Sequence, residues 1–155
     1  MAVVVDVLQG VREEVIGRIV ALTPNRMVKA QSSFVPHISD TLLTDIKAER
    51  NRLFEIGQWM QEDKWHIGYT TTGSVYTADI MFMYERTRVW NMAAVDDIHR
   101  INTDLLLFPS AVEGCGLRVL DQGPPLFTIT QKVDSKWDYY TVKLECFASV
   151  TATRG

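Results

Sequence analysis

The sequence has few of the residues that build metal sites or disulfide frameworks. It contains two cysteines, Cys115 and Cys146, and three histidines, His37, His66 and His99. Two cysteines are too few for a disulfide framework, and the histidines have no metal-ligand spacing to one another or to the cysteines. We therefore expect no metal and no cofactor. Cysteine usage favours a reducing compartment, with Cys146 as a buried free thiol.

Long apolar runs and blocks of like charge are also missing. No stretch approaches the roughly 18 apolar residues that span a bilayer. The first twenty residues lack a basic leading segment, and Asp6 interrupts their short apolar run, so no signal peptide is expected. The net charge is −3 without a charged tract, which argues against a general electrostatic grip on nucleic acid or an anionic membrane.

The size and composition are those of one ordinary globular domain. The chain has 155 residues, of which 46% are hydrophobic and 23% charged. That length suffices for a sizeable core, and the sequence has no internal repeat or low-complexity tract. We expect a single domain over residues 1–155.

Hydrophobic periodicity predicts a first helix and then a long connection. Apolar residues recur at three- and four-residue steps through Val4, Leu8, Val11, Val15, Ile19 and Leu22. Pro24 ends this helix, because the residue before a proline is disfavoured in helical conformation. Residues 31–50 carry only weak signals, and connections of this length are usually functional or disordered when unbound.

Alternation then predicts a hairpin. Residues 52–60 and 75–86 each alternate apolar and other side chains, and the second run places Tyr76, Ala78, Ile80, Phe82 and Tyr84 on one face. Their link, residues 61–73, is longer than a tight turn needs. It suits an exposed β-ribbon that reaches beyond the domain.

A second helix and further strands complete the fold prediction. Residues 94–108 show helical spacing, with Asp96 and Asp97 in the expected first turn, where the helix dipole favours negative charge. Helices separated by hairpins indicate an α+β fold, with an antiparallel or mixed sheet and both helices on one face. The predicted core combines the first helix with the second through Leu8, Val11, Val15, Ile19, Ile98, Ile101 and Leu105.

The last predicted strand is unusually long. Residues 138–150 alternate strictly, which at about 3.3 Å per residue gives roughly 40 Å. A domain of this size has a radius of gyration of only about 15 Å. We therefore expect part of this strand to contact another chain.

No catalytic pattern is recognisable. Asp96 and Asp97 are adjacent on a helix and cannot share a proton, and the glycines and serines match neither a phosphate loop nor a nucleophile elbow. We expect a non-enzymatic protein in which no single substitution at a histidine or cysteine abolishes function while fold and assembly persist.

Aromatic and methionine residues are the candidates for an interface. The candidate anchors lie in the hairpin link or on strand faces opposite the core: Trp65, Tyr69, Met81, Met83 and Phe147. Interfaces are enriched in these residue types, although a half-solvated sheet with scattered apolar residues would show the same pattern.

The order of these elements resembles that of the tail terminator, or tail completion, proteins of long-tailed bacteriophages. The resemblance covers most of the chain. It rests on the amphipathic first helix, the hairpin "RLFEIGQW…YTADIMFMYER", the helix "DDIHRINTDLLLF" and the closing pair "FTITQKV…DYYTVKLECFASV". The 31–50 stretch and the long hairpin link depart from the family pattern.

This resemblance implies a structural virion protein assembled in the host cytoplasm. Such proteins form a hexameric ring in the phage neck, cap the tail tube, contact the tube protein and the head–tail connector or stopper, and let DNA pass without specific binding. No membrane association is implied. A head–tail connector or stopper protein, and a small ligand-binding or catalytic α+β domain, are the alternatives.

Overall fold

Two helices and a seven-stranded sheet make up the part of the chain that the computed structural model describes, residues 4–26, 32–39, 41–46, 50–66, 71–107, 115–119 and 127–151. Only the backbone is described for Asp45 and for residues 4–6, 61–66, 71–75, 105–107, 115–119 and 147–151. The elements are α1 (Val4–Ala21), β1 (Val35–Pro36), a short 3-10 helix (Leu43–Asp45), β2 (Leu53–Ile56), β3 (Met60–His66), β4 (Thr71–Glu85), α2 (Arg88–Leu107), β5 (Cys115–Val119), β6 (Thr128–Gln131) and β7 (Trp137–Thr151).

Two long strands form the centre of the sheet. β4 and β7 pair antiparallel along their whole length of 15 residues each, from Thr71↔Thr151 to Glu85↔Trp137. The outer side of β7 pairs with β5 and β6. The terminal strand therefore finds backbone partners within the chain along its whole length, so its length alone does not require another chain, and a contact of this strand with another chain stays a prediction.

The outer side of β4 is covered by two consecutive strands. β2 pairs with residues 80–83, and β3 pairs with residues 72–77, with a register shift between Gln61 and Asp63. Between them, the Gly57 amide donates to the Asp79 carbonyl over 2.8 Å, which keeps this segment along the same edge. Among the described strands, β1 adds the one parallel pair, to β2. Because residues 67–70 lie outside the description, projection of the β3–β4 hairpin beyond the domain stays a prediction.

Both helices pack on the same face of the sheet. Inward residues of α1, including Val11, Val15 and Ile19, join Ile98 and Ile101 of α2 in one buried cluster. The sheet contributes its helix-facing residues, namely Phe54, Ile56, Ala78, Ile80, Phe82, Tyr84, Tyr140, Val142, Leu144 and Cys146. The α+β prediction is confirmed, and Cys146 is the buried free thiol that was expected. The Leu105 side chain lies outside the described residues.

The start of α2 differs from the prediction. The helix begins at Arg88, six residues before the expected start, and the Thr87 hydroxyl accepts a hydrogen bond from the Trp90 amide over 3.2 Å. A threonine in this position is a helix N-cap, because it satisfies an amide that has no partner within the helix. Asp96 and Asp97 consequently lie in the middle of α2 and not in its first turn.

Candidate functional site

A fully buried polar cluster joins the second helix to the sheet. It consists of Arg52, Asp97 and Tyr84, and we call it the Arg52 cluster. The Arg52 guanidinium donates to both Asp97 carboxylate oxygens, from Nε over 2.7 Å and from Nη2 over 3.2 Å, and the Tyr84 hydroxyl donates to Oδ2 over 2.8 Å. Charge-assisted bonds with this fork geometry are stronger than neutral ones.

The surroundings of Arg52 hold it from several directions. Its Nη2 also donates to the Arg26 carbonyl over 2.7 Å, and its guanidinium carbon lies 5.3 Å from the Trp90 ring centroid and 5.9 Å from that of Phe34. Arg52 has φ of 65°, a left-handed conformation that side chains with a Cβ rarely adopt. A strained backbone of this kind persists where the surrounding contacts over-determine it, as they do here.

Burial shifts the acid–base behaviour of the cluster. Burial raises the pKa of the Asp97 carboxyl, while its bonds to Arg52 and Tyr84 act in the opposite direction. Burial also raises the pKa of the Tyr84 phenol well above its usual value, and the neighbouring Asp97 carboxylate adds to the effect. Both shifts arise because low-dielectric surroundings disfavour the ionised form.

The Arg52 cluster has no access to solvent. Arg52 and Tyr84 are 0% exposed and Asp97 is 1% exposed. A substrate therefore cannot reach these groups. Their contacts anchor residues 26, 34 and 52 to α2. The helix-capping role expected for Asp97 is wrong, because its carboxylate is the counter-ion of a buried arginine 45 residues earlier in the chain. No linear spacing signals such a pair.

The face of the sheet opposite the helices carries a second, smaller core. Leu43, Met83, Trp137 and Tyr139 form it, and Met81 packs at its margin. The Leu43 amide donates to Glu55 Oε2 over 3.1 Å, which holds the short 3-10 helix against this face. Met83 is 0% exposed, so it cannot be the surface anchor that the sequence predicted. Alternation correctly placed it opposite the main core, but its cover is the chain's own 41–46 segment.

The described parts of the 31–50 connection bond to the sheet and pack against it. Within its described parts, β1 pairs with β2, and the His37 amide donates to the Phe54 carbonyl over 2.7 Å. Phe34 and Leu43 are buried. The described parts of this connection are therefore anchored to the sheet.

The other predicted anchors are only partly described. Trp65 lies in β3 opposite Gly73, and Phe147 lies in β7 opposite Val75, both known through the backbone. Tyr69 lies outside the described residues. Trp65 and Phe147 therefore belong to the half of the β4–β7 ladder remote from Met81 and Met83, so the four candidates with a described backbone do not lie at one level of the sheet.

A small cleft lies between α1 and the edge of the sheet. Its volume is about 140 Å³, and its polar lining includes Arg12, His37 and Glu55. The Arg12 guanidinium donates to the carbonyls of Ile56 and Gly57, each over 2.5 Å. His37 Nε2 lies 2.5 Å from the Thr41 carbonyl oxygen. Burial lowers the pKa of Arg12, and the nearby Glu55 carboxylate opposes the shift.

The cleft differs from a typical ligand pocket in its volume and in the bonding of its polar groups. Ligand pockets usually enclose about 300–1,000 Å³ and aim unpaired polar groups at the ligand. The cleft is smaller, and Arg12, His37 and Glu55 already bond to the chain's own backbone. Its groups brace α1 and the β1 segment against β2.

The described part of the chain has neither a metal-binding cluster nor a membrane-spanning helix. There, no group of three or more histidine, cysteine, aspartate or glutamate side chains is arranged to hold a metal ion. Among the same residues, no helix is long and apolar enough to cross a membrane.

Neither a scan against protein-family models nor a search of curated proteins finds a match for this chain. Its class therefore rests on the fold described above, an α+β domain with a mixed sheet built on two long strands.

Proposed function

We propose that this chain is a structural protein of a phage neck, which forms a ring that caps the tail tube and joins it to the head connector. The proposal starts from the resemblance in element order to tail terminator proteins. What supports it in the structure is the length of the central strands relative to the helices that cover them.

This length difference carries the proposal. β4 and β7 have 15 residues each, or about 50 Å, whereas α2 has 20 residues, or about 30 Å. Since α2 begins three residues after β4 ends and packs back along it, the helix is too short to cover the whole ladder, and we infer that the far end of the ladder continues past it. That continuation pairs residues 71–75 with 147–151 and adds β3 on the outer side. Projection of this end of the ladder beyond the domain would let one ring subunit reach its neighbour or the tail tube.

The charge of the chain agrees with a ring that encloses DNA. With a net charge of −3, the chain has no excess of basic residues to grip phosphates. DNA would thus pass through the bore without specific binding, as a tail requires.

The alternatives have less support. A connector or stopper would occupy a different place in the virion, so the location of the chain in the particle separates the two. A ligand-binding or catalytic domain would need an accessible site, whereas the Arg52 cluster is closed and the 140 Å³ cleft is braced by its own backbone bonds.

The test is assembly of the purified chain. Light scattering over a range of concentrations and negative-stain microscopy should show closed rings, and six chains of 17.6 kDa would give about 106 kDa. A chain that stays monomeric at virion-like concentrations, and that microscopy of the particle places away from the head–tail junction, would refute the proposal.

A hairpin variant tests the role of the projection. Replacing residues 65–73 with Asn-Gly closes the β3–β4 hairpin at the Lys64↔Ser74 pair with a two-residue turn. We expect a folded protein that no longer joins heads to tails. Val89→Ser, which changes a 59% exposed residue of α2, is the matched control and should leave joining unchanged. Normal joining by the shortened hairpin would contradict a role for this projection.

A further inference from the structure

The two most exposed large apolar side chains of the described residues lie on opposite sides of the sheet. Val133, in the turn between β6 and β7, is 88% exposed, and Ile38, directly after β1, is 78% exposed. β1 and β2 lie on one side of the central β4–β7 pair, and β6 lies on the other. Head-to-tail contacts in a ring join two unlike surfaces of neighbouring copies, and these two sides of the chain can supply them.

Ile38 lies at the cleft between α1 and the edge of the sheet. The apolar part of the cleft lining is Ile16, Pro36, Ile38, Phe54 and Ile56. Because the polar groups of the cleft already bond to the chain's own backbone, this apolar lining is what the cleft offers to a partner. An apolar cavity of about 150 Å³ holds a molecule as large as benzene, so a cleft of about 140 Å³ has room for one aliphatic side chain.

The edge beside the cleft does not favour the addition of another strand. Pro36 in β1 has no amide hydrogen, and proline on an edge strand opposes strand pairing. A partner at this edge is therefore held by side chains and not by a new strand.

The turn that carries Val133 is braced by the rest of the chain. The Ser135 amide donates to the Lys132 carbonyl over 3.3 Å, and the Arg86 amide donates to the Lys136 carbonyl over 2.7 Å. Turns favour glycine, proline, asparagine, aspartate and serine, so turn chemistry does not explain a valine here. An apolar side chain carried by a braced turn loses little further freedom when it enters a neighbouring cleft.

The charges around the turn and the cleft are complementary. The turn, residues 132–136 or Lys-Val-Asp-Ser-Lys, has two lysines and one aspartate. Glu55 lines the cleft together with Arg12, and the exposed Glu13 directly follows Arg12 in α1, so two carboxylates stand there against one guanidinium. Opposite net charges favour an encounter between the turn and the cleft and disfavour contacts between two like surfaces.

We propose that Val133 of one copy inserts into the cleft between α1 and the sheet of the next copy, so that each subunit fills the cleft of its neighbour. This inference rests on the ring proposed above and names a contact that builds it. The occupant is a second copy because the turn and the cleft lie on opposite sides of one chain, match in size and carry opposite net charge. Contacts of this head-to-tail kind close into a ring where the rotation allows.

Cross-linking tests which surfaces meet. In a Cys115→Ser background, Ile38→Cys and Val133→Cys are made singly and together and are treated with a short bismaleimide. The double variant should give a ladder of covalent oligomers up to the ring, a mixture of the two single variants should give dimers, and each single variant alone should give none. Cross-linking of Val133→Cys to itself would indicate a two-fold contact and overturn the inference.

Substitutions on each surface test the energetics. Val133→Asp should raise the concentration at which rings form by at least about tenfold, because it places a carboxylate in an apolar cleft beside Glu55. Ile16→Phe should also weaken assembly, because the larger side chain fills the cleft from α1 and leaves the turn unchanged. Met92→Asp is the matched control, since Met92 is 48% exposed and lies on α2, and it should assemble as the wild type does.

Circular dichroism of each variant should show an unchanged fold, because Val133 and Met92 are exposed. Ring formation by folded Val133→Asp at the wild-type concentration would overturn the inference.

The outcomes separate this inference from the proposed function. Rings that join heads to tails but neither cross-link through positions 38 and 133 nor respond to Val133→Asp would overturn the inference and leave the neck function standing. Rings that cross-link through these positions but are absent from the head–tail junction would support the inference and overturn the neck function. A monomer at all concentrations would overturn both.

Discussion

Removal of the Asp97 carboxylate should be among the most damaging single changes in the core. In Asp97→Ala, the buried Arg52 guanidinium loses both of its bonds to a counter-ion and keeps the Arg26 carbonyl and two aromatic rings. The Tyr84 hydroxyl loses its acceptor as well. An unpaired buried charge is costly, because the protein interior replaces its lost hydration poorly.

The expected magnitude follows from the complete burial of the pair. Breaking a buried ion pair by removing one partner costs about 3–5 kcal/mol. A domain of this kind has a free energy of unfolding of about 5–15 kcal/mol, so the variant should be folded but markedly less stable. Replacing both partners, as Arg52→Met with Asp97→Leu, removes the charges together and should restore all but about 1–2 kcal/mol of the loss.

Urea unfolding followed by tryptophan fluorescence measures these differences, and Trp90, 5.3 Å from the guanidinium, is a local reporter. The double-mutant cycle of the wild type, Arg52→Met, Asp97→Leu and the double variant should show a coupling energy of at least about 2 kcal/mol. Asp96→Ala is the control on the same helix, because Asp96 Oδ2 has no hydrogen-bond partner, and it should change stability by less than about 1 kcal/mol.

Two results would refute this reasoning. If Asp97→Ala cost no more than Asp96→Ala, the bonded Asp97 carboxylate would stabilise the fold no more than its neighbour does, and the ion pair with Arg52 would not be a source of stability. If the double variant were as unstable as the sum of the single variants, the two side chains would contribute independently and the pair would not be the unit of stability.

Two further predictions concern single residues. Because the folded-state pKa of Tyr84 lies above the ordinary value of 10.0, the unfolded chain loses this proton first, and the free energy of unfolding should fall as pH rises above 10. Tyr84→Phe should make that fall shallower in urea titrations between pH 9 and pH 11.5, and an unchanged slope would contradict the assignment. Met83→Ala should lower the free energy of unfolding by about 2–5 kcal/mol, since the side chain is fully buried, while rings of the folded protein form at the wild-type concentration. A stable variant with impaired assembly would instead make Met83 an interface residue.

Much of the fold could be read from local periodicity. α1 begins at Val4 as predicted and ends within one residue of the expected end, and the alternation of residues 75–86 and 138–150 identified the two long strands and their core faces. These patterns are readable because a helix or strand that is buried on one face must repeat its apolar residues with its own period.

Local periodicity did not predict which segments these elements pair with or pack against. The length of β7 suggested a contact with another chain, but β4 matches it residue for residue. Met83 was correctly placed on the second face, but its cover comes from Leu43 in a segment with weak signals. Pairing between distant segments leaves no periodic trace, because it depends on which surfaces the folded chain brings together.

The sequence by itself therefore determined the elements, their buried faces and the absence of recognisable catalytic motifs. Only the tertiary structure decided that Asp97 is the counter-ion of Arg52, that the sheet carries a second core, and that the two long strands pair with each other. The physical reason is that propensity and periodicity act over a few neighbouring residues, whereas ion pairing, burial and strand register act between residues 13 to 80 positions apart.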